Sequence, residues 1–175
     1  MFKPKSELST FSFTESSIGC AASVASVSQS RYYTYFKNKQ QLVASVLKKR
    51  DVQFRQSLCD FVGEVQGLAA LEQIFDWHIQ WFQQDHFKGC LFVRAVGESS
   101  QQDHEILDLA QQHKRWLYGF IAQYTHNFKQ PKAVTELCYN FLEGLMSRFL
   151  VDGFQAEIAE QNKQLMLNLI KSLQA

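Results

Sequence analysis

Proline is almost missing from this chain. Only Pro4 and Pro131 occur in 175 residues. Since proline removes a backbone donor and clashes with the preceding turn, long stretches are left free to be helical. Strict apolar–polar alternation is also missing, which argues against half-buried strands. No apolar run approaches the ~18 residues of a membrane span, so no membrane association is expected. Cysteines number four (Cys20, Cys59, Cys90, Cys138), far apart and without a CxxC pair. That spacing suits neither a zinc site nor a secreted disulfide framework, and free thiols in a reducing cytoplasm are the expectation. Ser17-Ile18-Gly19-Cys20 superficially fits a lipoprotein cleavage site, but Glu7, Glu15 and several serines stand where the apolar segment belongs. Export is therefore rejected, and a cytoplasmic protein is expected. Phosphate-cradling glycine loops and the GxSxG nucleophile motif are absent too. His104-Glu105 begins an HExxH-like run whose second histidine is replaced by Asp108, so paired metal ligands are lacking. Neither an enzyme nor a cofactor or metal is expected.

What is present is helical periodicity and aromatic volume. Apolar residues make up 46% and charged residues 20%, an ordinary globular balance, with 15 Phe, six Tyr and three Trp. Asn38 is placed to cap a long helix whose apolar stripe runs through Leu42, Val43, Val46, Leu47, Phe54, Leu58 and Phe61. Further helices are expected over about 69–84, 90–98, 106–124, 132–152 and 156–173, the fourth of these opened by Pro131. Gly63, Gly89 and Gly153 punctuate them. The fold class is all-α. Charge is unevenly spread: residues 1–50 carry eight basic and two acidic side chains, a net +6, and the rest carry a net −5. A basic end on an acidic body fits a nucleic-acid reader joined to a solvated regulatory domain.

The informative segment is 18–47. Two short helices meet at a tight turn, and a third follows a basic loop, as in a helix-turn-helix whose second helix enters the major groove. Gln29, Ser30 and Arg31 stand on the first turn of that reading helix. Arginine can bond guanine O6 and N7 together, and glutamine can do the same for adenine. Lysines and tyrosine hydroxyls can hold phosphates. The run Val27-Ser28-Gln29-Ser30-Arg31-Tyr32-Tyr33-Thr34-Tyr35-Phe36-Lys37-Asn38-Lys39-Gln40-Gln41-Leu42 resembles the recognition-helix signature of the TetR family of transcriptional regulators. Phe87-Lys88-Gly89-Cys90-Leu91-Phe92-Val93-Arg94-Ala95-Val96-Gly97-Glu98 resembles a second run found in many members. The likeness extends over about residues 12–175.

The resemblance implies a helix-turn-helix DNA-binding domain at 1–49 and an effector-binding and dimerisation domain at 50–175. Gln29, Ser30, Arg31, Tyr33, Thr34, Tyr35 and Lys39 become the DNA-facing candidates. Tyr32 and Phe36 are better read as small-core residues. The family's first helix is expected to be incomplete, because Pro4, Ser6, Ser9 and Ser12 suit a helix poorly. A small apolar or aromatic effector is implied, in a pocket drawn from Trp77, His78, Trp81, Phe82, Phe92, Arg94, His113, Trp116, Phe120 and Phe141. A homodimer is expected through Leu137, Phe141, Leu145, Phe149, Leu165, Leu169 and Leu173, with operator DNA as the second partner. Two alternatives stand beside this reading: a dimeric ligand-binding protein of the same descent without competent DNA binding, and a thiol-based redox sensor using Cys90 or Cys138.

Overall fold

The computed structural model describes residues 38–100 and 103–174. Within them lie six helices: α1 (Lys39–Val62), α2 (Gly67–Phe82), α3 (Leu91–Gly97), α4 (His104–Thr125), α5 (Pro131–Asp152) and α6 (Ala156–Gln174). No strand occurs among the described residues. The chain is all-α, as its periodicity predicts.

Helix ends follow local chemistry. The Asn38 side-chain oxygen accepts the Gln41 amide hydrogen at 2.9 Å, satisfying one of the amides that a helix start leaves unpaired. Gly63 ends α1 at φ 59°, with its amide donating to the Cys59 carbonyl. Pro131 opens α5, and Gly153 at φ 75° follows its last residue. Gly89, at φ 72°, precedes α3, and a β-carbon there would stand 3.0 Å from a Leu150 methyl. Any side chain at 89 would meet backbone strain, and the Leu150 methyl would have to give by a few tenths of an ångström.

The chain divides into two compact units. Among the described residues, the first joins 38–53 with 90–100 and 103–113. Its described core is Val43, Ala44 and Leu47 from α1, Leu91, Phe92 and Ala95 from α3, and Ile106 and Ala110 from α4. Lys48 pairs with Glu105 at 2.7 Å across its surface, and Gln40 donates to Asp103. The Ser100 backbone hydrogen bond and hydroxyl hold the Asp103 carboxyl below its ordinary range, while that residue's carbonyl starts α4.

The second unit joins Phe54–Gly89 to Lys114–Ala175. Here α2, α5 and α6 pack mutually. On α2 the buried residues are Ala70, Leu71, Ile74, Phe75, His78, Trp81 and Phe82, a three-four spacing that turns one stripe inward. Phe75, Leu142 and Met166 are fully enclosed, and burying each such side chain contributes roughly 1.5–3 kcal/mol. Two polar devices lie in this apolar packing. The Thr125 and Thr135 hydroxyls bond to each other at 2.7 Å, and Thr135 donates to the Pro131 carbonyl. Lys163 on α6 reaches Asp76 at 2.7 Å and Glu72 at 3.2 Å on α2. Burial pushes its ammonium pKa down, but the two acceptors outweigh that and hold it above the ordinary lysine value.

Candidate functional site

An aromatic cluster fills the second unit where the C-terminal half of α1 meets α2 and α4. Phe54 is buried at its centre. The Trp77 ring lies 4.9 Å away edge-to-face, Trp81 lies 6.1 Å away and Trp116 6.3 Å away. His78 stands at 6.1 Å. Such edge-to-face pairs set the positive rim of one ring against the negative face of another. Trp81 also meets Phe87 at 5.2 Å, and Phe82 packs on Phe87 and Phe149.

Three of the rings around Phe54 have a further anchor. The Trp77 indole N–H donates to the Ser57 hydroxyl at 3.0 Å. Trp116 stacks on Phe120, ring centroids 5.0 Å apart, and the Arg55 guanidinium carbon lies over the Trp116 ring, 5.0 Å from its centroid. His78, fully buried, donates from Nδ1 to the Ile74 carbonyl at 2.7 Å, one helical turn back. A carbonyl can only accept, so this bond places a hydrogen on Nδ1. Trp77 and Trp116 are half-buried while Trp81, Phe82 and Phe120 are buried.

Of the ten side chains expected around an effector, Trp77, His78, Trp81, Phe82, Trp116 and Phe120 therefore belong to the second unit. Phe141, half-buried on α5, belongs to it as well. Phe92, Arg94 and His113 belong to the first unit. There Phe92 and His113 lie face to face, centroids 3.8 Å apart, and His113 Nδ1 donates to the Asp51 carboxylate at 2.8 Å. Arg94 pairs with Glu98 at 3.8 Å, one turn along α3. Sequence reasoning missed Phe54, Arg55 and Asp51. Phe54 was visible only as a member of the α1 stripe, and nothing in its spacing marks it as the hub of the rings.

Of the DNA-facing candidates, Gln29, Ser30, Arg31, Tyr33, Thr34 and Tyr35 lie outside the described residues. Lys39 is described: it is exposed at the first position of α1, directly after the capping Asn38.

The expected partner face divides. Leu165 and Leu169 on α6 are 50% and 38% exposed, and Leu137, Phe141 and Leu173 are half-buried. Leu145 and Phe149 are instead sealed within the second unit, Phe149 against Phe82 and Phe154. They fall on the inward stripe Cys138, Leu142, Leu145, Met146, Phe149 of α5, whereas Leu137 and Phe141 flank that stripe.

The redox alternative names Cys90 and Cys138, which are among the described residues. Cys90 and Cys138 are both buried. Burial pushes the Cys138 thiol up to about 12, and its sulfur lies 3.7 Å from that of Met166. A reactive sensor needs an accessible thiolate, which this environment opposes. Cys59 is exposed, with its thiol pushed up by desolvation and by Asp60.

A bundle with this helix order, in which a long helix follows the residues 18–36, has the fold of the TetR-family transcriptional regulators. Among solved structures it is similar to a TetR-family transcriptional regulator from Streptomyces coelicolor, at TM-score 0.73 and 17% identity, covering 89% of this chain and 82% of that one. It is similar also to the reduced form of NemR from Escherichia coli, at TM-score 0.65 and 17% identity, covering 93% and 88%. No protein-family profile and no curated protein sequence matches the chain.

Proposed function

We propose that this chain is a TetR-like transcriptional regulator that binds operator DNA as a homodimer through its N-terminal helix-turn-helix and is released by a small aromatic effector. One observation carries the reading. The run 27–42, with the composition of a TetR recognition helix, leads straight into α1 of a bundle that shares its fold with such a regulator over 89% of the chain. In this reading Gln29, Ser30, Arg31, Tyr33, Thr34 and Tyr35 face bases and backbone, and Lys39 holds a phosphate at the start of α1. Exposed placement of Lys39 supports that role. The DNA-binding part is residues 1–49, and the remainder binds effector and pairs the subunits. Dimerisation uses the outward faces of α5 and α6, where Leu165 and Leu169 offer apolar surface to a two-fold copy. Effector binding acts as a repressor's release because it favours the conformation that fits the operator less well. The protein acts in the cytoplasm, where DNA is found.

The test is a salt-controlled binding assay against the DNA upstream of its own gene. A TetR-like reader retards that DNA selectively, and log affinity falls linearly with log salt. Arg31→Ala lowers the preference for the operator over unrelated DNA. Equal affinity for both DNAs at every salt concentration defeats the operator reading and favours the dimeric ligand-binding alternative.

A further inference from the structure

The ring at the centre of the aromatic cluster belongs to the chain itself. Phe54 is 4% exposed and meets Trp77, Trp81 and Trp116 edge-to-face, at interplanar angles of 82°, 79° and 82°. These are all three tryptophans of the protein. The imidazole of His78 adds a fourth wall at 68°. A wall of ring faces and rims in this arrangement is complementary to one flat, uncharged aromatic ring. We propose that Phe54 is the resident occupant of the effector site, and that an effector carrying a flat, uncharged aromatic ring binds by taking the place of the Phe54 phenyl. This deepens the effector reading and rests on it.

Each wall also has contacts that do not involve Phe54, Trp81 among them through Phe82 and Phe87. Trp77 is tied to Ser57, His78 to the Ile74 carbonyl, and Trp116 is stacked on Phe120. A wall anchored from behind keeps its shape when the central ring leaves, which is what a displaceable occupant requires. Phe82 differs in kind. It packs on Phe149 and Phe87 as well as on Trp81, so it is a member of the wall. Phe54 also stands on the helix that begins at Lys39, so a change at Phe54 acts on a continuous helix. Phe54 would therefore set both the size of ring accepted and the helix that answers to it.

The experiment uses toluene as the probe on the full chain, with Phe54→Ala, Phe54→Leu and, as a control cavity, Phe82→Ala. Tryptophan emission, melting temperature and hydrogen exchange along α1 are followed. The expected result is that Phe54→Ala binds toluene at least tenfold more tightly than the unmodified protein. Toluene then raises its melting temperature, as binding to the folded form requires, and slows exchange in the first half of α1 more than in α6. Should Phe54→Ala not fold, Phe54→Leu is expected to show an intermediate gain in affinity. In Phe82→Ala, any slowing by toluene is expected to be no greater in the first half of α1 than in α6. Equal toluene binding by the unmodified protein and Phe54→Ala, with altered tryptophan emission, overturns the proposal while the effector reading stands. Equal coupling to α1 in Phe82→Ala also overturns it, since any cavity then suffices. A folded Phe54→Ala that ignores toluene overturns it as well. If a library of aromatic compounds also leaves the unmodified protein unchanged, the effector reading falls separately.

Discussion

Lys163→Met removes the cation that pairs with both the Asp76 and the Glu72 carboxylates. In the folded protein Nζ lies 2.7 Å from Asp76 and 3.2 Å from Glu72, and the lysine side chain is 10% exposed. Methionine fills a similar volume, so packing changes little. What is lost is the neutralisation of two like charges held on neighbouring turns of α2. Breaking a fully buried pair costs about 3–5 kcal/mol. Here the Asp76 and Glu72 side chains are 30% and 43% exposed, so water recovers part of that. About 2 kcal/mol is the expected loss, which for a chain of this size lowers the melting temperature by roughly 4–8 °C. Urea unfolding at fixed protein concentration measures it, with the midpoint falling and the slope unchanged. The pH dependence adds a second check. A group with a raised folded pKa contributes stability that is complete below its unfolded pKa, near the ordinary lysine value of 10.5. That contribution is lost as pH rises through the folded pKa. The gap between the two proteins should therefore be constant at neutral pH and close only in the strongly alkaline range. Asp76→Asn in the Lys163→Met background should restore part of the stability. A loss below about 0.5 kcal/mol, or a gap that closes near neutrality, refutes the argument that this triad is a coupled ion cluster.

Two further outcomes are expected. Leu165→Asp together with Leu169→Asp places charges on the exposed face of α6 and should yield a folded monomer by sedimentation at micromolar concentration; a persistent dimer moves the interface elsewhere. Thiol labelling at mildly alkaline pH should modify Cys59 well before Cys138, whose thiol is buried and pushed up to about 12; rapid labelling of Cys138 in the folded protein would contradict its environment.

The helices were legible because their signals are local. A cap at Asn38, a proline at 131 and glycines at 63 and 153 each act within a few residues of themselves. Three-four spacing on α2 marks which stripe turns inward, and that stripe is the buried one, whereas on α6 Leu165 and Leu169 share the spacing and are exposed. The boundary expected between residues 49 and 50 falls inside α1, whose contacts divide after Gln53. A helix that continues through a boundary carries no turn residue to announce it. Charge gives the same difficulty: Lys48 and Arg50 seem to form one basic run with Lys49. Yet Lys48 pairs with Glu105, 57 residues away, while Arg50 is part-buried with a lowered pKa from desolvation.

The aromatic cluster shows where such reading stops. Trp77, His78, Trp81 and Phe82 share α2, and their spacing already brings them towards one side of that helix. Trp116 and Phe120 stack because four residues return to the same face. Periodicity cannot say which ring of a third helix enters between these two sets, since Phe54 and Phe61 both lie on the α1 stripe. Tertiary packing decides it, placing Phe54 4.9 Å from Trp77 and leaving Phe61 half-buried. The same limit applies to α5, where Leu137 and Leu145 are equally apolar. Leu145 shares the inward stripe with Leu142 and Phe149, and Leu137 stands beside it. Apolarity alone marks both as buried somewhere, and only the direction of the stripe separates a residue that closes its own core from one that stands at the edge of it.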